Sequence, residues 1–345
     1  MYGGIDDPSI EARIKRTGRW PWIDVIERRT PDSQLRYMDG CYLYAGLLYN
    51  HYGHIMTESI HRLWAYDPSI HSGVVFVVLY HDGYEGRLGQ FNYPKYLADI
   101  LKIFGIGEEK IILVKQGMIF EEMDLVVPGS FLGGGAEEWY FPILEEVYER
   151  VESLSNIDLI KPDRLFMGRS HIIHKGTLLG ESYFGHILQK NKYIYFKPEE
   201  YNIYDQITIV KKSKEVVFVE GSAIYGVDLV SKVDGVVSMI PRRSTNSLYV
   251  PHLECKCNFS TIGDLSSIIR LNTSGGKSAP KSPVITASPK NMYDDLLRRV
   301  PDLNEVFDYK VFSDFQDHDI LAYGAGNNEY IMYLRDSVLR DQLLK

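Results

Sequence analysis

The segment Tyr49–Trp64 holds the side chains of this 345-residue chain best suited to acid–base chemistry. At 100° per residue its apolar and polar residues separate, which predicts a two-sided helix. The polar side carries His54, Thr57, Glu58, His61 and Arg62. His54 and Glu58 lie one helical turn apart, so the pair could act as a general base and its orienting partner. A solvated surface stripe is the alternative interpretation.

A second group of polar residues lies in the other half of the chain, where Arg169 and Ser170 follow a short apolar run. Lys175 comes six residues after Arg169, ahead of a predicted helix that bears Glu181. In α/β folds ligands bind at the carboxyl ends of the strands. Arginine and lysine there could neutralise a diphosphate.

A glycine turn follows another apolar run, at Glu220–Ser222. Glycine lets the backbone approach a ligand closely, and the amides that open the next helix attract phosphate. Each of these pieces also has an ordinary interpretation, as a strand–helix connection or a surface charge. The order of these pieces along the chain favours a phosphate-binding site over these ordinary interpretations as the hypothesis to test.

These residues need strands and helices to position them, and the apolar pattern predicts both. Predicted strands lie at 73–80, 110–114, 123–127, 164–169, 193–196, 215–219 and 235–240. Predicted helices lie at 93–104, 142–154, 177–189, 203–212 and 328–344. Strand–helix alternation of this kind is typical of parallel α/β sheets. Because the pattern restarts, we predict domains at 1–157 and 158–290, with a C-terminal extension at 291–345.

Composition narrows the class of protein. The length favours two domains, and the apolar share of 45% suffices for packed cores. The formal charge of −8 excludes a general nucleic-acid binder. Three cysteines form no disulfide framework, which favours a reducing compartment. The sequence shows no signal peptide and no apolar span. We therefore expect a cytoplasmic protein, and brief contact with the inner face of the membrane is the alternative that the sequence leaves open.

Together the two groups resemble glycosyltransferase family 61. The resemblance rests on five motifs between Leu43 and Ile240, which are Gly53–Trp64, Arg169-Ser170 with Lys175, Gly180-Glu181, Asp205-Gln206 and Glu220–Ala223. Three positions depart from the family's usual residues. Lys175 stands for arginine, Gly180 for asparagine, and Tyr225 for histidine or asparagine.

The resemblance implies two facing Rossmann-like domains of the GT-B type, with the active site in the cleft between them. It implies an inverting transfer without a bound metal, from a nucleotide-sugar co-substrate to a glycan or lipid-linked glycan. A UDP-sugar is the favoured donor. Bacterial members tend to build capsular or surface polysaccharides. Oligomeric state, donor sugar and acceptor cannot be derived from the sequence.

The resemblance also assigns roles. Glu58 is the expected base and His54 its partner, although these two roles could be exchanged, while His61 and Arg62 would contact the acceptor. The expected donor-binding residues are Arg169, Ser170, Lys175, Glu181, Gln206, Glu220, Gly221 and Ser222. Among them Arg169 and Lys175 would hold the diphosphate, Glu220 would bind ribose or sugar hydroxyls, and Glu181 and Gln206 would brace the site.

Two other functions stay open. A metal-dependent hydrolase could use His54, Glu58 and His61 as ligands, because an i, i+4, i+7 set can share a helix face. A non-catalytic protein of the same fold could bind sugar nucleotides or glycans without turnover.

Overall fold

A computed structural model describes residues 35–78, 94–115, 117–157, 163–173, 175–246, 248–300, 303 and 305–343. The chain forms two compact units. Unit 1 comprises Met1–Asn156 together with Asn202–Thr208 and Tyr225–Ser231. Unit 2 comprises Ile157–Tyr201, Ile209–Ile224 and Lys232–Lys345.

Unit 1 contains a four-stranded parallel sheet with the order β3-β2-β1-β4. Its strands are β1 (Arg36–Leu48), β2 (His71–Val78), β3 (Ile111–Val114) and β4 (Met118–Asp124). β2 and β3 agree with the predicted strands, although Leu79 and Tyr80 lie outside the described residues. β4 overlaps the predicted strand 123–127 only at Met123 and Asp124, and β1 was not predicted.

The missed strand β1 is the one that pairs with both β2 and β4. Gly40 and Gly46 have φ angles of +92° and +113°, and the pairing register shifts next to both glycines. Bulges of this kind break the period of two by which a strand is recognised in sequence. At Gly46 a Cβ atom would lie 3.0 Å from Arg62 NH1, so the close approach of that guanidinium favours glycine.

The helices of unit 1 are α1 (Tyr52–His54), α2 (Lys95–Ile103) and α3 (Phe141–Leu154), and a short hairpin joins β5 (Ser130–Phe131) to β6 (Gly135–Ala136). α3 buries Leu144, Val147 and Val151, which share one face at the i, i+3, i+7 spacing. α2 begins at Lys95 within the predicted range 93–104, and Tyr93 lies outside the described residues.

Unit 2 contains a five-stranded parallel sheet with the order β11-β10-β9-β7-β8. Its strands are β7 (Arg164–Met167), β8 (Ile194–Tyr195), β9 (Glu215–Val219), β10 (Val236–Ile240) and β11 (Asn258–Thr261), and the intervening helices are α4 (Glu181–Lys190), α5 (Ile203–Lys212) and α6 (Val250–Glu254). β8 and β9 flank β7 on opposite sides, so the strand order reverses there. Such a switch point opens a crevice at the carboxyl ends of the strands.

The residues after β11 pack within unit 2. They form the hairpin β12 (Ile268–Arg270) and β13 (Val284–Thr286), followed by α7 (Pro289–Arg299), α8 (Tyr309–Tyr323) and α9 (Asn328–Leu343). Asp319 of α8 accepts a hydrogen bond from Gly180 N at 2.8 Å, and so caps the start of α4. Gly180 itself has φ +100°, a left-handed conformation that asparagine also tolerates. A Cβ atom at this position would lie 2.7 Å from the ring of Phe312 in α8, so the packing here favours glycine over asparagine.

The parallel α/β class predicted from the sequence is confirmed in both units. The predicted domain boundaries and the facing arrangement stay predictions. Among the described residues, no helix combines the length and the apolar character needed to cross a membrane.

Candidate active site

The histidine segment of unit 1 differs from the predicted two-sided helix. α1 runs for three residues and passes into a π-helix over Ile55–Ser59, followed by a 3-10 turn at Leu63–Ala65. A π-helix changes the angular spacing, so residues that would share an α-helical face do not. The prediction of a two-sided helix was therefore wrong. Thr57, His61 and Arg62 of the expected polar side are buried, which also does not fit the alternative of a solvated surface stripe.

His54 and Glu58 nevertheless meet as predicted. His54 Nδ1 lies 2.6 Å from Glu58 Oε1, and the side chains are 33% and 13% exposed, respectively. When Glu58 is ionised its oxygen can only accept, so Nδ1 carries the hydrogen and Nε2 keeps its lone pair. The rings of Tyr49 and His51 lie 4.7 and 5.2 Å from the His54 ring, between centroids. The imidazole is thus held in place by its carboxylate and two rings.

The segment is fixed to the strand ends of unit 1 by its buried polar residues. Arg62 Nε donates to Val126 O at 3.1 Å, just after β4. His61 Nε2 donates to Met56 O at 2.6 Å. His61 is fully buried and Arg62 is 6% exposed, so neither side chain presents the surface that direct acceptor contact needs. The spacing of polar residues in the sequence could not reveal this burial. The same spacing is found on an exposed polar face and on a buried face whose polar groups are hydrogen-bonded.

In unit 2, Arg169 and Gly221 lie together at the switch point between β7 and β9. A Cβ atom on Gly221 would approach Arg169 NH1 to 2.5 Å and Cδ to 3.1 Å, so the arginine lies against bare backbone. Both residues line a small pocket, whose walls are otherwise mainly apolar. The fold thus brings together two of the residues expected to bind the donor.

Glu181 is buried directly behind this pocket, at the first position of α4. Its Oε1 accepts a short hydrogen bond from Arg169 N, while Oε2 is buried without a hydrogen-bond partner. Desolvation by burial raises the pKa of Glu181 to about 7, against the opposing effect of the Arg169 amide and of Arg242. Glu181 thus fixes the backbone of Arg169, in line with the expected bracing role.

The raised pKa of Glu181 predicts a pH-dependent stability. Between the usual pKa of 4.5 and about 7, the folded chain retains a proton that the unfolded chain releases. This contribution to stability is therefore complete below pH 4.5 and is lost as the pH rises through 7. Urea unfolding at pH 5, 6, 7 and 8 should show the wild type losing stability relative to Glu181→Gln, which cannot ionise. If the difference in unfolding free energy between the two proteins stays constant over this pH range, burial does not raise the pKa of Glu181.

Glu220, just after β9, and Arg242, just after β10, form a buried hydrogen-bonded brace that joins the carboxyl ends of these neighbouring strands. Glu220 Oε2 accepts from Arg242 N at 2.7 Å, and Oε1 lies 3.0 Å from Arg243 NH1. Arg242 Nε donates to Glu220 O at 2.6 Å, and NH1 donates to the carbonyls of Lys175 (3.1 Å) and Gly176. Burial lowers the pKa of Arg242 to about 10, so it stays charged at neutral pH. Glu220 is fully buried, a placement that does not fit the expected contact with ribose or sugar hydroxyls.

The other expected donor residues take different places. Ser170 Oγ hydrogen-bonds Tyr195 OH at 3.1 Å. Lys175 has an exposed side chain, and Arg169 NH2 donates to its carbonyl oxygen at 3.4 Å. Ser222 begins a 3-10 helix over Ser222–Leu229. Gln206 is half-buried on α5, in the part of that helix that belongs to unit 1, and does not line the pocket.

One group of metal-ligating side chains occurs among the described residues. Donor atoms of Cys41, His71 and Asp124 lie within 4.8 Å of one another. The Asp67 amide donates to His71 Nδ1 at 3.0 Å, so Nε2 carries the hydrogen and donates to Asp124 at 2.9 Å. Both ring nitrogens of His71 are thus hydrogen-bonded within the protein. Burial and the Asp124 charge also raise the pKa of Cys41.

The hydrolase hypothesis required His54, Glu58 and His61 to converge on one ion. Within the part of the chain that the structure describes, these three do not form a group at ligand distance. His61 turns instead to the Met56 carbonyl. The expected absence of a metal itself stays a prediction.

A family model described as Glycosyltransferase 61 matches residues 52–237, which is more than half of the chain. The chain belongs to glycosyltransferase family 61. The match covers His54, Glu58, Arg169 and Glu220 and ends inside β10, before Arg242. A comparison with curated proteins gives no match.

As a family 61 glycosyltransferase, the chain carries site residues that its motifs did not identify. Glu199 and Ile172 line the pocket beside Arg169. Ile172 lies just after the Arg169-Ser170 motif, whereas Glu199 is placed beside Arg169 only by the strand order. A prediction that β8 lies next to β7 would have been the signal needed to find Glu199.

Proposed function

We propose that this protein is an inverting, metal-independent glycosyltransferase. It transfers a sugar from a nucleotide-sugar, with UDP favoured, to a hydroxyl of a glycan or lipid-linked glycan. The proposal includes the GT-B arrangement of two facing domains, a cytoplasmic location and a role in surface or capsular polysaccharide synthesis. Family membership supports the reaction class, and the finer terms rest on the site chemistry below.

The observation that carries the proposal is the Arg169–Gly221 pair at the switch point of unit 2. In open parallel sheets nucleotides bind at this position. Arg169 brings a fixed positive charge to the rim of an otherwise mainly apolar pocket. Charge that develops on a departing diphosphate can be met there without a metal, by a guanidinium and the amides of the Gly221 turn.

The base is assigned to His54, with Glu58 as its orienting group. This exchanges the two roles expected from the sequence, and the geometry supports the exchange. His54 is the more exposed of the two, and its Nδ1 is occupied by Glu58. Nε2 can then accept the proton of the attacking hydroxyl as the new glycosidic bond forms, while the carboxylate stabilises the resulting imidazolium.

Calorimetric titration in the presence of EDTA tests the donor site. Wild type and Arg169→Ala are titrated with UDP, GDP, CDP, CMP and ADP. We expect selective binding of one nucleotide in the wild type, and at least a tenfold weaker binding in the variant, because a charge-assisted contact to phosphate is lost. Arg335→Ala, which removes an arginine from an exposed ion pair with Asp317, is the matched control. No binding of any nucleotide would overturn the proposal.

Slow hydrolysis of the selected nucleotide-sugar distinguishes an enzyme from a binding protein of the same fold. An enzyme with a competent site releases nucleoside diphosphate without acceptor at a measurable rate. Binding without any release, under conditions in which the His54–Glu58 pair is intact, would favour the non-catalytic alternative.

A further inference from the structure

Glu199 is an acidic side chain at the rim of the nucleotide pocket that the expected site residues did not include. It lies in the 3-10 turn Pro198–Glu200, which follows β8. The same pocket contains Arg169 from the exit of β7 and Gly221 from the exit of β9. Residues from the ends of three adjacent strands therefore line the pocket, and Arg169 and Gly221 among them suit a diphosphate.

The Glu199 carboxylate is held in place rather than left to solvent. His171 Nε2 makes a short hydrogen bond to Glu199 Oε1, and His171 Nδ1 lies 3.2 Å from Tyr195 OH. The Glu199 side chain is nevertheless 51% exposed. Among the described residues its Oε2 has no hydrogen-bond partner. One oxygen is thus anchored while the other is available to a ligand.

The chemistry of this carboxylate excludes a phosphate contact, because two negative charges repel. A carboxylate accepts hydrogen bonds from hydroxyl groups, and vicinal ribose hydroxyls are the donors that a nucleotide offers. In dinucleotide-binding parallel sheets, an acidic residue about 20 residues beyond the turn of the first strand binds the ribose 2′-hydroxyl. Glu199, at the end of β8 and next to β7, the first strand of unit 2, has a similar place in this sheet.

We propose that Glu199 binds the ribose hydroxyls of the donor nucleotide, and that His171 is the residue that positions it. This inference rests on the proposed function. It replaces the role expected of Glu220, whose oxygens face Arg242 and Arg243 inside the protein. It orients the nucleotide with ribose at Glu199 and phosphates at Arg169. It also makes the site selective for ribonucleotides.

The test compares UDP with 2′-deoxy-UDP by calorimetry, or the corresponding pair if another base is selected. We expect the wild type to prefer the ribonucleotide about tenfold to hundredfold, since hydrogen bonds to a charged group are lost in the deoxy form. Glu199→Ala should reduce this preference to less than about threefold. His171→Ala should reduce it partly, because the carboxylate loses its anchor. Glu200→Ala, next along the turn and paired with Lys197 at the surface, is the matched control and should keep the full preference.

Inorganic pyrophosphate separates the two proposals. It has no ribose, so Glu199→Ala should bind it as tightly as the wild type, which also shows that the variant is folded. If the wild type binds the ribonucleotide and Glu199→Ala keeps the same ribose preference, the role of Glu199 is refuted and the donor site stands. If the wild type binds neither nucleotide nor pyrophosphate, the proposed function fails and this inference fails with it.

Discussion

Replacing His54 with alanine should lower the turnover number about 10²–10⁴-fold, the range that general base catalysis typically contributes. Glu58→Gln should cause a loss of similar order, because an amide can donate to Nδ1 and so favour the wrong imidazole tautomer. Since the two side chains act as one unit across 2.6 Å, the double variant should lose little more than either single one. Initial rates with donor and acceptor measure all three.

Chemical rescue decides which side chain is the base. Imidazole should restore part of the activity of His54→Ala, and formate should not restore Glu58→Ala to the same degree. The reverse pattern would return the base role to Glu58. Nucleotide affinity should be unchanged in these variants, because the donor residues lie in unit 2. Near-normal turnover of both single variants would contradict the assignment altogether.

Arg242→Ala should lower the free energy of unfolding by about 3–5 kcal/mol, because three carbonyl oxygens would each lose a hydrogen bond and an unsatisfied buried acceptor costs about 1–3 kcal/mol. Arg242 is 7% exposed and its guanidinium donates to three carbonyl oxygens, on Lys175, Gly176 and Glu220. Removal leaves these acceptors buried and takes a positive charge from the fully buried Glu220 carboxylate. Urea unfolding followed by circular dichroism measures the effect.

The control for this variant is Arg335→Ala, whose exposed pairing with Asp317 should be worth no more than about 1 kcal/mol. Arg242→Lys should fall between alanine and wild type, since an ammonium cannot reach all three carbonyls at once. If Arg242→Ala unfolds at the same urea midpoint as Arg335→Ala, Arg242 is not the brace that its contacts indicate.

Elements with an uninterrupted period were predictable from the sequence. α5 and β9 have the predicted bounds, and α3 begins one residue early. β1 escaped prediction because Gly40 and Gly46 break its alternation at two bulges. α7 and α8 were also missed. The buried side of α8 includes the polar residues Gln316 and Asp319, which interrupt its apolar pattern, and contacts such as that of Phe312 with Tyr183 stabilise this helix after folding.

The candidate site was predictable where a motif follows directly from one strand. Arg169 and Gly221 fall into this class, whereas the His54–Glu58 pair was predictable from its i, i+4 spacing. Roles that depend on burial were not predictable, because His61 and Glu220 look like surface residues by type. Glu199 depended on strand order, and Arg242 depended on contacts with segments more than 60 residues away. The prediction of the site was thus limited by contacts between residues that are far apart in the chain, rather than by the chemistry of the individual residues.

The position of β1 has a practical consequence for recombinant work on this family. The matched segment begins at Tyr52, so a truncated product cut at its limits would lack the strand that pairs with both β2 and β4. It would also end within β10, and would lose β11 and the Asp319 carboxylate that caps α4. Newly exposed edges in both sheets, together with an uncapped helix, would then favour aggregation during expression. The span shared by relatives is therefore shorter than the span that can fold, and expression clones need the flanking sequence on both sides.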